Sequence, residues 1–373
     1  MKVGLGHNRY CQSVPQIIDG IDTDLRVSGR SLRDMMSGTS CTGLGHRSRV
    51  AKRILARAMD APSNTYDYPS RWKQEAYDAL EKLHPNYEFA LFSSGAEAVE
   101  AAIRIAREIA EVPYHRDMVA GFTGCFHGKT YLTGLLTDNV ESDLTTILRY
   151  GDTSLRLDSS IFTVIVEPFQ CRNGVGLASP LFFERLVQEC ESAHVILIDD
   201  EISTSLRSGY ALAIQKYVPN YEPGIICLGK NYGQGVPVSI VGVHTRYADK
   251  VHTSLTSGFG SNPLACIAIS ESLREITPNL DTIRKRGMEL AIPFFGLAGC
   301  SHVTDVRSFG MWYGLELDTA ESATWLAARL LEYGYIVGLV GKNIRLAPPF
   351  GLDSFVWKQF IERIVDLLSK RLF

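Results

Sequence analysis

The sequence lacks features that would assign it to several classes of protein. It has no excess of positive charge, since its formal net charge is −3 over 373 residues, and this leaves no electrostatic basis for binding nucleic acid or an anionic membrane. It has no apolar run long enough to span a bilayer, and its N-terminal segment lacks a secretory apolar core. We therefore expect a cytoplasmic protein that binds neither nucleic acid nor membrane.

Closely spaced cysteines are absent as well. The eight cysteines are scattered and none forms a C-x-x-C pair, so the pattern predicts free thiols and no disulfide framework. Cys41 and His46 are near each other in the chain, but no further ligand residues cluster with them. Since a zinc site needs three or four such ligands, we expect no bound metal.

The middle of the chain alternates short apolar runs with helical patterns. The apolar runs predict seven strands, which are Phe89–Phe92, Met118–Phe122, Thr145–Tyr150, Phe162–Val166, Val195–Ile198, Ile225–Leu228 and Ser239–Val243. The helical patterns are Arg47–Asp60, Ala96–Glu111, Pro180–Ser192, Pro263–Ile276 and Leu280–Leu290. Strands that alternate with helices predict an α/β fold with a mainly parallel seven-stranded sheet flanked by helices.

The pattern changes near residue 275. Beyond it we predict strands near Arg307–Glu316 and Tyr335–Leu346 and a closing helix over Ser354–Leu372, whereas the first 45 residues are turn-rich. These features predict a large domain over residues 46–275 and a smaller α+β domain built from residues 1–45 and 276–373.

Two predicted strands end on residues that can do chemistry. The run Val195–Ile198 leads into three acids, of which Asp200 is the second, and the run Ile225–Leu228 is followed by a glycine and Lys230. In open α/β sheets, ligands bind at the edge where such strands end. A carboxylate that faces a ring nitrogen, together with a lysine that can form an imine, is what a protein contributes to pyridoxal-phosphate chemistry.

A third strand end predicts either a helix cap or an anion site. Ser94 and Glu97 have the S-x-x-E spacing of a capping box. Alternatively, Ser94, Gly95 and Ala96 would offer N–H groups and a hydroxyl to a phosphate, since a helix N-terminus favours anions. In a later loop, Phe126 could stack on a planar cofactor, although an aromatic side chain more often belongs to the core.

Together these residues resemble the class III aminotransferases, the ω-aminotransferase branch of the fold-type I pyridoxal-phosphate enzymes. The resemblance extends from about Gly29 to Leu368, and it depends on the order and spacing of motifs that are each weak alone. The motifs are Leu44-Gly45-His46, Ser94-Gly95-Ala96-Glu97-Ala98-Val99-Glu100-Ala101-Ala102, Phe126-His127-Gly128, Glu167-Pro168-Phe169-Gln170, Asp200-Glu201-Ile202, Leu228-Gly229-Lys230, Gly235-Val236-Pro237, Asn262-Pro263-Leu264-Ala265 and Arg345-Leu346-Ala347-Pro348-Pro349.

The resemblance implies pyridoxal 5′-phosphate as the cofactor. Lys230 would hold it as an internal aldimine and later move the proton, and Asp200 would pair with the pyridine nitrogen. Ile202 and Phe126 would pack on the two faces of the ring, and Gln170 would lie near its phenolic oxygen. The full set of implied cofactor contacts is Ser94, Gly95, Ala96, Phe126, His127, Glu167, Gln170, Asp200, Ile202, Lys230 and Ser257.

The substrate side departs from the family pattern. The resemblance makes Arg345 the clamp for a substrate carboxylate, a bidentate task that suits a guanidinium. The family glutamate that pairs with this arginine is Arg172 here, so the pocket gains a cation. The family also implies a homodimer with shared active sites, in which a threonine reaches the partner's phosphate. That position is Gly258 here, and Ser257 or Thr256 is the candidate substitute.

Transamination is the predicted reaction. A donor amino acid or amine would leave its amino group on the cofactor as pyridoxamine phosphate, which would then aminate a carbonyl acceptor. Arg172 and Arg345 predict that at least one substrate is carboxylated. Two alternatives remain: an aminomutase, racemase or decarboxylase on the same scaffold, and a catalytically degenerate binding subunit. The intact pair of Asp200 and Lys230 argues against the second alternative.

Overall fold

The computed structural model describes residues 14–110, 116–253 and 255–370, which form three sheets surrounded by helices. The strands are β1 (Ile17–Ile21), β2 (Asp24–Val27), β3 (Arg30–Asp34), β4 (Tyr87–Phe92), β5 (Met118–Phe122), β6 (Thr145–Leu148), β7 (Ile161–Val166), β8 (Ile196–Asp200), β9 (Ile225–Gly229), β10 (Ser239–His244), β11 (Val303–Phe309), β12 (Trp312–Leu317), β13 (Tyr335–Ile336), β14 (Gly338–Val340) and β15 (Asn343–Leu346). The helices are α1 (Arg49–Ala58), α2 (Arg71–Leu83), α3 (Gly95–Ile109), α4 (Tyr131–Thr137), α5 (Pro180–Ser192), α6 (Pro263–Ile276), α7 (Leu280–Phe295), α8 (Ala320–Glu332) and α9 (Ser354–Ser369).

The central sheet has seven strands in the order β4-β10-β9-β8-β7-β5-β6. Strand β10 is antiparallel to both of its neighbours, and all other pairs beyond it are parallel. Every residue of β7, β8 and β9 is buried, as expected for parallel strands covered on both faces. The predicted α/β fold with a mainly parallel seven-stranded sheet is confirmed.

The predicted elements of this sheet agree closely with the structure. The strand Met118–Phe122 and the helices Pro180–Ser192 and Pro263–Ile276 have the predicted bounds, and the other six strands differ by no more than two residues at either end. Helices α2, α4 and α8 were not predicted. Helix α2 packs Trp72, Ala76, Leu80 and Leu83 against the core, and their helical spacing was a usable signal.

The expectation of a turn-rich N-terminal segment is wrong for residues 14–45; residues 1–13 lie outside the described part. Strands β1, β2 and β3 form an antiparallel meander, and β3 pairs in parallel with β13 through Arg33–Tyr335 and Asp34–Ile336. Strand β13, the partner of β3, lies about 300 residues further along the chain. A local sequence pattern cannot indicate such a pairing, because strand formation depends on tertiary context.

The C-terminal part forms a second antiparallel sheet, β11-β12-β15-β14. Its core is aromatic, since Tyr313, Phe294, Trp357 and Phe360 are fully buried against one another. Pairing of β3 with β13 joins the N-terminal meander to this region, which is consistent with the predicted small domain. The domain boundaries themselves stay a prediction.

No helix in the described residues is long and apolar enough to cross a bilayer. The seven cysteines that lie within those residues are free thiols. Cys11 lies outside them. No group of three or more His, Cys, Asp or Glu side chains in the same part of the chain is placed to hold a metal ion; His46 instead hydrogen-bonds Asp34 at 2.9 Å.

Candidate active site

A cavity of about 500 Å³ lies at the edge of the central sheet where β4, β8 and β9 end. This volume lies within the range of small-molecule sites. The lining comes from four stretches of chain and two single residues, namely residues 93–96, 126–129, 200 with 202–203, and 235–239, together with Cys41 and Lys230. The edge of the sheet thus brings together the strand ends that the sequence singled out.

Lys230 follows β9 and points its amine into this cavity. Its backbone φ is +48°, a left-handed conformation that costs a non-glycine residue about 1–2 kcal/mol. Strain of this kind concentrates at functional sites. The Nζ atom donates a hydrogen bond to Oγ of Ser203. The preceding residue is Gly229, where a Cβ would lie 2.8 Å from Oγ of Ser239, so close packing requires glycine there.

Asp200 ends β8 and is almost completely buried. Its Oδ2 lies 2.7 Å from Nδ1 of His127, and its Oδ1 accepts from the backbone N–H of Ile202 at 3.3 Å. His127 is fixed in turn, because its backbone N–H donates to Oγ1 of Thr137 at 2.9 Å. The buried carboxylate of Asp200 therefore has a hydrogen-bond partner. The second ring nitrogen of His127, Nε2, is buried and has no hydrogen-bond partner in the described residues.

The N-terminus of α3 faces the cavity. Oγ of Ser94 accepts from the N–H of Glu97 at 3.3 Å, and the Glu97 carboxylate accepts from the N–H of Ser93 at 3.0 Å. Helix capping is therefore present, as one of the two interpretations predicted. The N–H groups of Gly95 and Ala96 belong to the first turn, where they lack intrahelical partners, and both residues line the cavity. Capping and anion binding are compatible here.

The two predicted ring neighbours, Phe126 and Ile202, both line the cavity. Glu167 lies behind the loop, where its carboxylate accepts from the N–H of Phe126 at 2.8 Å. Burial raises the pKa of Glu167 to about 7. Glu167 thus holds the loop and does not face the cavity.

Gln170 is not brought to the cavity. Its Nε2 donates to the carbonyl of Thr123 at 2.6 Å, and its Oε1 accepts from Nδ2 of Asn173 at 2.9 Å. Both ends of the amide are occupied within the loop, so the contact with a phenolic oxygen that the resemblance implies has no counterpart in this arrangement.

The two predicted substrate arginines lie outside the lining, Arg172 beside Phe126 and Arg345 beside Cys171. The Arg172 guanidinium lies 5.1 Å over the Phe126 ring, and NH1 of Arg345 donates to the carbonyl of Cys171 at 3.4 Å. Nε of Arg345 is buried without a partner. Burial lowers the pKa of Arg345, and the neighbouring charge of Arg172 adds to this. Within the described part of the chain, neither arginine is paired with a carboxylate.

Ser257 does not line the cavity of its own chain. It lies on a surface segment next to Gly258, where an added Cβ would meet nothing within 4 Å. The neighbouring Thr256 is engaged, since its Oγ1 lies 3.3 Å from the Tyr66 hydroxyl.

The lining also includes residues that were not predicted to belong to the site, among them Cys41, Lys129 and Ser203. Lys129 directly follows the Phe126-His127-Gly128 motif, and a basic residue there was a usable signal. Cys41 follows a left-handed turn over residues 37–40, which no local pattern indicates. Ser203 adjoins the Asp200-Glu201-Ile202 motif, and a lone serine carries no signal of its own.

Comparison with known proteins identifies the family. Residues 24–147 and 136–368 match the model for aminotransferase class-III, and the chain belongs to this family. The acetylornithine aminotransferase of Aquifex aeolicus is 29% identical, with 92% of each chain covered. The mitochondrial acetylornithine aminotransferase of Alnus glutinosa is 32% identical, covering 91% of this chain and 79% of that one.

Solved structures agree on the fold. The ornithine aminotransferase from Toxoplasma gondii ME49 has a TM-score of 0.87 at 23% identity, covering 98% of this chain and 92% of that one. An S-selective transaminase from Bacillus megaterium has a TM-score of 0.85 at 18% identity, covering 96% and 93%. The protein is a pyridoxal-phosphate-dependent aminotransferase of fold-type I, and its substrates are an amino donor and a keto acid acceptor.

Proposed function

We propose that Lys230 and Asp200 carry the transamination in this cavity. The observation that supports the assignment is that two neighbouring parallel strands deliver both side chains to one cavity, beside the N-terminus of α3. The residues fit pyridoxal phosphate: the helix terminus suits its phosphate, the buried carboxylate suits a protonated ring nitrogen, and the amine suits its aldehyde. Phe126 and Ile202 offer apolar surfaces for the ring.

Each side chain then has a defined task. When bound, pyridoxal phosphate supplies an aldehyde carbon and an electron-accepting ring. Lys230 would supply the amine that attaches the cofactor and would move the proton as a general acid–base when its amine is free. Asp200 would hold negative charge at the ring nitrogen, and His127 fixes the orientation of that carboxylate. Ser94, Gly95 and Ala96 would hold the phosphate.

Substitution of Lys230 tests this assignment. We expect Lys230→Ala to take up pyridoxal phosphate without covalent attachment and to lose at least about 10³-fold in turnover. Absorbance of the bound cofactor and mass after borohydride reduction report attachment. The control is Lys216→Ala, which removes an exposed lysine outside the cavity. Covalent attachment in Lys230→Ala would contradict the assignment.

We also propose that at least one substrate is carboxylated. The support comes from Arg172, beside Phe126, and Arg345, beside Cys171, which interact with each other electrostatically and form no ion pair with a carboxylate in the described residues. A buried cation left unpaired is costly, and an anionic substrate would compensate both. The names of relatives refer to acetylornithine and to aminoadipate or glutamate semialdehyde, and they are transaminases, which favours transamination over isomerisation or decarboxylation.

We further propose a homodimer in which Ser257 reaches the cofactor phosphate of the second copy. Ser257 lies away from its own cavity, and among the described residues its hydroxyl has no protein partner. Large apolar side chains are exposed on the same segment and on the neighbouring loop, with 68% exposure for Phe259 and 69% for Tyr68. Exposed apolar groups of this size are typical of an interface. Sedimentation of the parent and of Phe259→Asp checks this proposal. A monomeric parent would contradict the homodimer, and a dimer that Phe259→Asp leaves unchanged would contradict an interface at this segment.

A further inference from the structure

The hydroxyl of Ser203 is the hydrogen-bond partner of the Lys230 amine. Nζ of Lys230 donates to Oγ of Ser203, and the described residues provide no other hydrogen bond to that amine. Ser203 is 7% exposed and lines the cavity one residue beyond Ile202. A lysine side chain has four rotatable bonds and loses much rotamer entropy when it is ordered. A fixed acceptor therefore restricts the directions in which the amine can point.

Ser203 is itself held by a hydrogen bond from a residue of the C-terminal sheet. The indole N–H of Trp312 donates to the Ser203 carbonyl at 3.0 Å, and Trp312 is fully buried at the start of β12. Four residues further along, the Arg207 carbonyl accepts from the N–H of Met311 at 3.0 Å. The C-terminal sheet is thereby attached to the turn that carries Ser203.

We propose that Ser203 is a positioning residue, which holds the Lys230 amine toward the reacting centre and is itself fixed by Trp312. The proposal rests on the assignment of Lys230 made above. The hydroxyl accepts from the amine and keeps its own hydrogen free to donate into the cavity. Sequence patterns gave no reason to select this residue, and its role depends on the contact with the C-terminal sheet.

The test follows attachment of pyridoxal phosphate to the enzyme after its cofactor has been removed. Visible absorbance gives the attachment rate against pH for the parent, Ser203→Ala and Ser203→Thr. We expect Ser203→Ala to lower the plateau rate about tenfold. Ser203→Thr keeps a hydroxyl and should stay close to the parent.

Ser205→Ala is the matched control, since Ser205 is buried in the same turn but bonds Tyr232 and the Ala211 carbonyl, outside the cavity. We expect no change in its rate. Every variant retains the titratable groups that line the cavity or interact with the amine, namely Cys41, His127, Lys129, Glu167, Cys171 and Asp200. A Ser203→Ala profile that matches the parent, or that matches Ser205→Ala, would overturn the proposal.

Trp312→Phe tests the second half of the proposal. It removes the indole donor and keeps an aromatic ring, so we expect the same loss of attachment rate as in Ser203→Ala at a smaller size. The double variant should be no worse than Ser203→Ala, because both substitutions act through one hydroxyl; additive losses would contradict this. Attachment in Lys230→Ala would instead mean that the lysine itself is wrongly assigned.

Discussion

The two sides of the cavity differ in how their charges are compensated. On the cofactor side, Asp200 is paired with His127 and the Glu97 carboxylate caps the turn at Ser93. On the substrate side, Arg172 and Arg345 have only a ring and a backbone carbonyl as partners in the described chain. The acids of the cofactor side have partners within the chain, whereas the substrate side is arranged for an anion that the protein does not supply.

The largest effect should follow from breaking the cofactor side at Asp200. Asp200→Asn keeps the shape and an acceptor for His127 but removes the charge at the ring nitrogen, so turnover should fall by roughly 10²–10³-fold with the fold retained. The control is Asp199→Asn. Asp199 points away from the cavity, and burial raises its carboxyl pKa well above the usual value, so this variant should stay active. Turnover rates and thermal unfolding of the two variants test this prediction. Loss of activity in Asp199→Asn but not in Asp200→Asn would show that Asp200 is not the acid that supports turnover.

The second prediction concerns Glu167, which supports the cofactor side from behind. Its pKa is raised from 4.5 to about 7 by burial, so the folded state keeps a proton that the unfolded chain has released. Stability should therefore fall as pH rises from 4.5 to about 7, by up to about 3 kcal/mol. Glu167→Gln keeps the acceptor for Phe126 and should lose this part of the slope.

Urea unfolding of the parent and of Glu167→Gln near pH 5 and near pH 8 measures the difference, since a linear dependence on urea gives the free energy of unfolding. Glu201 also has a raised pKa, to about 7, through burial, and its contribution remains in both proteins. The difference between the two profiles therefore isolates Glu167. Parallel profiles would show that Glu167 is ionised in the folded protein.

The third prediction addresses the substrate side. Arg345→Lys keeps a charge but not the bidentate geometry, and the KM for a keto acid should rise about 10- to 100-fold. An aldehyde acceptor without a carboxylate is the internal control, and its KM should not change. Arg172→Glu would give Arg345 a carboxylate partner and should reduce the preference for the keto acid. Equal changes in the KM for both acceptors would show that Arg345 does not bind the substrate carboxylate.

The same comparison explains what could be predicted from the sequence. Asp200 and Lys230 stand at the ends of buried strands, and a continuous apolar run marks where such strands end, so their meeting in one cavity followed from local signals. Ser203 is held by the distant Trp312, and the turn that precedes Cys41 is bonded to the distant Ala347 carbonyl through Oγ of Ser37. Such contacts depend on tertiary packing, which a local pattern does not encode.

The smallest expected effect lies at Gly258, where the cofactor side would be completed by a second copy. An added Cβ meets nothing within 4 Å there, so Gly258→Thr should fold normally. If this segment reaches the second copy's phosphate, the new hydroxyl should tighten cofactor binding about three- to tenfold, as one neutral hydrogen bond does. Ser257→Ala should weaken binding by a similar factor. Cofactor titration of both variants distinguishes the cases: if Gly258→Thr is unchanged while Ser257→Ala binds less tightly, Ser257 already makes this contact, and if neither variant changes, the segment does not contribute to the cofactor site.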